Sequence, residues 1–148
     1  MRKSESKLQT LIRLLSHREE LARRNLAGRR QAVTGASSRQ DELTGLQQEY
    51  RDRLADAGGA GVSAGELRLW RRFNQSLEDV VAMQASHVER LRRELETAQS
   101  ACRDALVRRR GGELLEDAEQ RRAAELARRQ ERVASSDRAA RRQRSGED

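Results

Sequence analysis

The chain has 148 residues, 35% of them apolar, 37% charged and 2% aromatic, with no proline, one cysteine and a formal charge of +7. A compact domain carries ~45–50% apolar residues, so this composition excludes a filled globular interior and the enclosed pocket that most enzymes need. No apolar run reaches the length of a signal-peptide core or a membrane span, and the lone cysteine rules out an intrachain disulfide and fits a reducing compartment.

A chain rich in Ala, Leu, Glu, Gln and Arg has the makeup of long helices that bury one narrow seam. High charge with low hydrophobicity also marks disorder. The missing prolines and regular apolar spacing argue against disorder for the middle of the chain, whereas the last fifteen residues read as disordered.

From Leu8 to Leu54 one heptad frame holds. One column reads Leu8, Leu15, Ala22, Arg29, Ala36, Leu43, Tyr50, and the column four residues on reads Ile12, Glu19, Leu26, Val33, Gln40, Gln47, Leu54. Ten of these fourteen positions are apolar or aromatic. A 3.5-residue repeat sustained this long predicts a coiled coil. Gly28, Gly35 and Gly45 each cost roughly 1 kcal/mol against Ala inside a helix, so the first helix, expected over about 4–56, needs a partner.

A turn is expected over about 57–63, where Gly58, Gly59 and Gly61 allow the backbone to reverse. Ser63 is placed as an N-cap, with Glu66 positioned for a capping box and Val62 and Leu67 for a hydrophobic staple. The second helix is expected over about 64–140. Its seam reads Trp70, Leu77, Gln84, Leu91, Ala98, Ala105, beside Asn74, Val81, Val88, Leu95, Cys102, with Phe73 and Val80 widening the stripe. The pair Gly111-Gly112 reads as an interruption and weak point. Helix resumes at Leu114 with a sparser pattern (Leu115, Ala118, Arg122, Leu126, Val133) and overhangs the first arm. Residues 143–148 are expected to be a disordered tail.

These elements make an all-α fold: one long antiparallel two-helix coiled-coil hairpin over 1–142, monomeric because the hairpin satisfies its own seam. At 1.5 Å per residue the arms measure ~80 Å and ~115 Å. With the bend centred near residues 60–62, Tyr50 faces Phe73, Leu46 faces Leu77 and Leu43 faces Val80. Together with Gln84 these residues fall on neighbouring turns, flanked by Asp52, Arg72 and Glu78. Two helices cannot fully cover such a cluster, and a leftover apolar strip is the form of a protein-binding site. The alternative is that these side chains only clamp the hairpin.

Charge is uneven: residues 1–30 carry a net +6, residues 31–107 a net −2 and residues 108–148 a net +3. A hairpin brings the two basic stretches to its open end, where Arg13, Arg23, Arg24, Arg128, Arg129 and Arg132 favour an anionic partner. Phosphate binding is compatible with so much arginine. The interleaved acids and the missing aromatic platform weigh against nucleic acid. Cys102 lies in an apolar column as a small core residue. His17 and His87 are far apart along the coil, no metal-ligand spacing occurs, and no glycine-rich phosphate cradle is written. Neither a cofactor nor catalysis is expected.

The order Tyr50, Gly61-Val62-Ser63, Leu69-Trp70-Arg71-Arg72-Phe73, Leu77-Glu78, Val80-Val81 and Gln84 resembles the flagellar export protein FliJ family. Its members carry a tyrosine, a Gly-[Ile/Val]-Ser turn, an aromatic three residues before a phenylalanine, then Leu-Glu and an apolar pair leading to Gln or His. The motif covers about 35 residues, and the coiled-coil pattern extends the likeness over most of the chain. Asp137 is followed here by Arg138 where the family usually has Glu. The resemblance implies a cytoplasmic component of the flagellar type III export apparatus, peripheral to the cytoplasmic face of the cell membrane, without direct membrane insertion. It implies that the open end enters the export ATPase hexamer, as the stalk subunit of a rotary ATP synthase does. It further implies that the patch of Leu43, Leu46, Tyr50, Phe73, Leu77, Val80 and Gln84 touches the membrane export gate protein, and that free export chaperones bind. Other readings are the stalk protein of a virulence-type secretion system, a basic coiled-coil scaffold, or a nucleic-acid-binding protein.

Overall fold

The structure is a computed structural model and describes residues 2–59 and 61–146. It holds two helices packed against each other as a helical hairpin: α1 (Arg2–Gly59, 58 residues) and α2 (Ala64–Ser145, 82 residues). No strand occurs among the described residues. Neither helix is long and apolar enough in any stretch to cross a membrane.

The connection is shorter than expected, since α1 continues through Gly58 and Gly59. Gly61 carries the one positive φ among the described residues, 79°, a conformation that costs a residue with a Cβ. Ser63 then caps α2: its Oγ accepts the Glu66 amide N–H at 3.3 Å and its carbonyl accepts Leu67 N–H at 3.0 Å. The reciprocal Glu66-to-Ser63 bond of a full capping box does not form among the described residues. Val62 and Leu67, placed for the staple, are both half-buried.

The heptad reading is met position by position. All fourteen α1 positions are half-buried, save Glu19, which is buried. The eleven α2 seam positions from Trp70 to Ala105 are half-buried or buried as well. The frame then runs on without a break through Arg109, Gly112 and Glu116. The interruption expected at Gly111-Gly112 therefore does not occur. Gly112 is a buried seam residue, and a Cβ built on it would lie 3.1 Å from Leu15 Cδ1 and 3.5 Å from Ile12 Cγ1. The glycine gives α1 room to approach, and tertiary packing overrides its low helix propensity.

The contacts group into two units, Glu20–Arg103 around the bend and Met1–Glu19 with Asp104–Asp148. Within the first unit, Arg29 Nη1 donates to Glu94 Oε2 at 2.5 Å, Gln84 Nε2 to the Ala36 carbonyl at 3.0 Å, and Arg51 Nη2 to Glu78 Oε1 at 3.0 Å. These fix the antiparallel register there. Its core is thin, with only Leu77, Val88 and Ala98 buried as apolar residues among those described.

In the second unit, residues 143–145 are helical rather than a disordered tail, and so are the preceding residues back to 134. Residues 147 and 148 lie outside the described residues. Alanine, arginine and glutamine are strong helix formers, which carries this segment even though every side chain from Leu126 to Gly146 is exposed.

Candidate functional site

The candidate patch lies in the unit Glu20–Arg103 and is built around Tyr50. Its ring meets Phe73 at a centroid distance of 4.6 Å, tilted by 58°, and Trp70 at 5.9 Å, tilted by 47°. Arg53 covers the ring with its guanidinium carbon 5.5 Å from the centroid, and a bond from Arg53 Nη2 to Glu49 Oε1 at 2.7 Å holds that arginine. Tilted aromatic pairs of this spacing are worth ~0.5–1.5 kcal/mol beyond their area. The chain's three aromatic side chains thus form one cluster, as the register predicts.

The seven patch residues divide by environment. Leu46, Phe73 and Val80 are exposed, and Leu43 and Tyr50 are half-buried. Leu77 is 7% exposed and belongs to the core. Gln84 is half-buried and spends its amide N–H on the Ala36 carbonyl, so it bridges the helices. The sequence reading missed Leu69 and Met83, which are 66% and 72% exposed. The signal for both was their spacing: Leu69 stands four residues before Phe73, and Met83 three after Val80.

Behind the patch Asn74 is a buried polar residue in the seam. Its Nδ2 donates to the Trp70 carbonyl at 3.2 Å, while Oδ1 is buried with no hydrogen-bonding partner among the described residues. A polar side chain at one seam position fixes register at a cost in stability.

The six arginines assigned to the open end fall in both units: Arg13, Arg128, Arg129 and Arg132 in Met1–Glu19 with Asp104–Asp148, and Arg23 and Arg24 in Glu20–Arg103. In the unit Met1–Glu19 with Asp104–Asp148, Glu5, Leu8 and Gln9 share a hollow with Glu116, Glu119 and Gln120. That register puts Arg13 near Gly112, whereas Arg128 stands 16 residues further along α2, ~24 Å at 1.5 Å per residue. Arg128, Arg129 and Arg132 are exposed on α2 alone, and Glu125 pairs with Arg129 at 3.3 Å and Arg128 at 4.0 Å. Arg23 and Arg24 belong to the other unit, where Arg24 pairs with Glu20 at 2.6 Å.

The same unit contains a charged seam position that the sequence showed only as a polar break in a column. Glu19 is buried, and its Oε2 accepts a short bond from Arg109 Nε. Arg109 Nη1 donates to Glu113 Oε1 at 2.5 Å. The bond to the Glu19 carboxylate is the main cause that holds the Arg109 guanidinium above its ordinary pKa; burial opposes it, and Glu113 adds to the rise.

His87 shares a 2.6 Å contact between its Nδ1 and Arg90 Nη2, and Cys102 is half-buried in the seam. Among the described residues no three His, Cys, Asp or Glu side chains gather as a metal site.

Against known families, the profile described as "Flagellar FliJ protein" matches residues 4–146. The chain belongs to the flagellar FliJ family. That match covers both units and nearly the whole of each helix, so it does not rest on the bend motif alone. Membership in the FliJ family supports a role related to flagellar protein export. No curated protein and no solved structure matches it.

Proposed function

We propose that this FliJ-family chain is a stalk that links the export ATPase ring to the membrane export gate, and that it binds export chaperones during flagellum assembly. The observation that carries the reading is the aromatic cluster beside the bend, where Phe73 stays 45% exposed although it touches Tyr50. A residue placed only to clamp the hairpin has no reason to leave so much apolar surface in water. The mechanism is mechanical. The gate is held by the patch of the bend unit, and the ATPase ring by exposed arginines such as Arg128, Arg129 and Arg132 on α2. The protein itself works at the cytoplasmic face of the membrane as a monomer.

The test is the double variant Tyr50→Ala with Phe73→Ala, assayed for gate binding, ATPase binding and thermal unfolding. Large anchors at an interface centre commonly contribute ≥2 kcal/mol. The expected result is loss of gate binding and of motility with ATPase binding intact. A variant that melts and loses both partners together would reduce the cluster to a hairpin clamp and overturn the reading.

A further inference from the structure

Leu69, Phe73, Ser76, Val80, Met83 and His87 recur at alternating intervals of four and three residues along α2. This is a second heptad line, lying beside the seam that packs on α1. Apart from Ser76 and His87 its members are large and apolar, and they are exposed: Leu69 66%, Phe73 45%, Val80 45% and Met83 72%. On α1, Leu46 is 38% exposed and occupies the heptad position that flanks the seam as Val80 does on α2. Two shallow depressions lie on the line. One is walled by Tyr50, Leu69, Trp70 and Phe73, and the other includes Val80, Met83, His87 and Arg90.

We propose that this line seats a third helix, an amphipathic α-helix contributed by the protein that binds the patch, packed along the hairpin to make a local three-helix coil. The proposal rests on the gate reading only for the identity of the protein that supplies the helix. A 4-3 repeat of exposed apolar residues is what one helix offers another, because knobs from the guest fall between side chains one turn apart. From Leu69 to Met83 the line runs ~21 Å, about four turns. An extended strand has nothing to pair with, since the main-chain groups of both helices are already spent within them.

Charge on the two rims defines the guest further. On α1 the outer rim carries Glu42, Glu49 and Asp56 at seven-residue intervals, with Glu49 held by Arg53. On α2 the outer rim carries Arg72 and Asp79, while Arg90 continues the line itself, seven residues after Met83. A helix with Lys or Arg along the flank facing α1 complements that acidic rim, in the manner of flanking charges in coiled coils.

The experiment uses the full chain, the purified cytoplasmic portion of the export gate protein, and synthetic 30-residue peptides tiling that portion. One amphipathic peptide is expected to bind, with circular dichroism of the mixture showing more helix than the separate spectra combined. Changing Leu69→Glu and Met83→Glu together should weaken that binding by about tenfold or more and leave the chain's own thermal unfolding unchanged, as both side chains are exposed. Binding that survives the double change, a bound peptide that stays non-helical, or wild-type dimers abolished by the same changes would each overturn the third helix. In all three cases the gate portion still binds wild-type chain. If wild-type chain fails to bind the gate portion at all, the gate reading falls as well.

Discussion

Gly112 lies directly against Leu15, so close that a Cβ on the glycine would stand 3.1 Å from Leu15 Cδ1. Its neighbour Gly111 is exposed, and a Cβ there would meet nothing within 4 Å. Two adjacent glycines in one helix therefore have opposite meanings. Gly111→Ala should raise Tm, by up to about 1 kcal/mol of added stability from helix propensity. Gly112→Leu should lower it through overpacking, and Gly112→Ala should gain less than Gly111→Ala. Thermal unfolding followed by circular dichroism at 222 nm, roughly the helix minimum, ranks the three.

Asn74→Leu is expected to stabilise the hairpin, since it removes a buried amide oxygen that has no partner among the described residues. The gain should come with reduced specificity, as with other coils from which a polar seam residue is removed. Sedimentation equilibrium of the variant should show species beyond the monomer. A strictly monomeric variant with lower Tm would mean that the amide holds the fold in a way its one bond to Trp70 does not explain.

Arg109→Ala should be far more damaging than Arg51→Ala. The first leaves the buried Glu19 carboxylate without its bond from Arg109, whereas Arg51 and Glu78 are an exposed pair of the kind that contributes ~0–1 kcal/mol. Denaturant titration of both variants checks the order. Arg109 has its pKa raised on folding, so its contribution is complete below the ordinary arginine range and fades only above it. This group should therefore add no pH dependence to stability around neutrality.

Changing Arg128, Arg129 and Arg132 to Glu should weaken ATPase binding and leave helicity unchanged, because all three side chains are exposed. Wild-type binding should itself weaken with added salt, since such charges are screened beyond ~8–10 Å at physiological ionic strength. Co-sedimentation at two salt concentrations measures both effects. Normal ATPase binding combined with lost retention of RNA or DNA would favour the nucleic-acid reading.

The seam was the most legible part of the chain. Its columns are simple spacing, and even Arg29, Gln40 and Gln47 take seam positions because neighbours seven residues away hold the frame for them. Gly112 was misread because glycine in isolation signals a break, and only the opposed helix shows that its lack of a side chain is what fits. Leu77 and Gln84 stand in the seam column as well as in the patch, and the structure covers them as the seam spacing implies. Leu69 and Met83 were missed because attention to the seam hides a second line with the same spacing. Which arginines lie beside one another depends on register, and the point where α1 begins along α2 cannot be read from either helix alone.

Glu125 is the last half-buried side chain of α2. Beyond it, protection of the backbone amides comes only from the helix's own ladder, and its loss needs no separation from α1. Amide hydrogens after Glu125 should exchange through fraying from the free end. Those around Val88, 1% exposed, should wait for the coil itself to open. An arginine-directed protease should trim the chain from the same side, progressively shortening α2 before it reaches the paired helices.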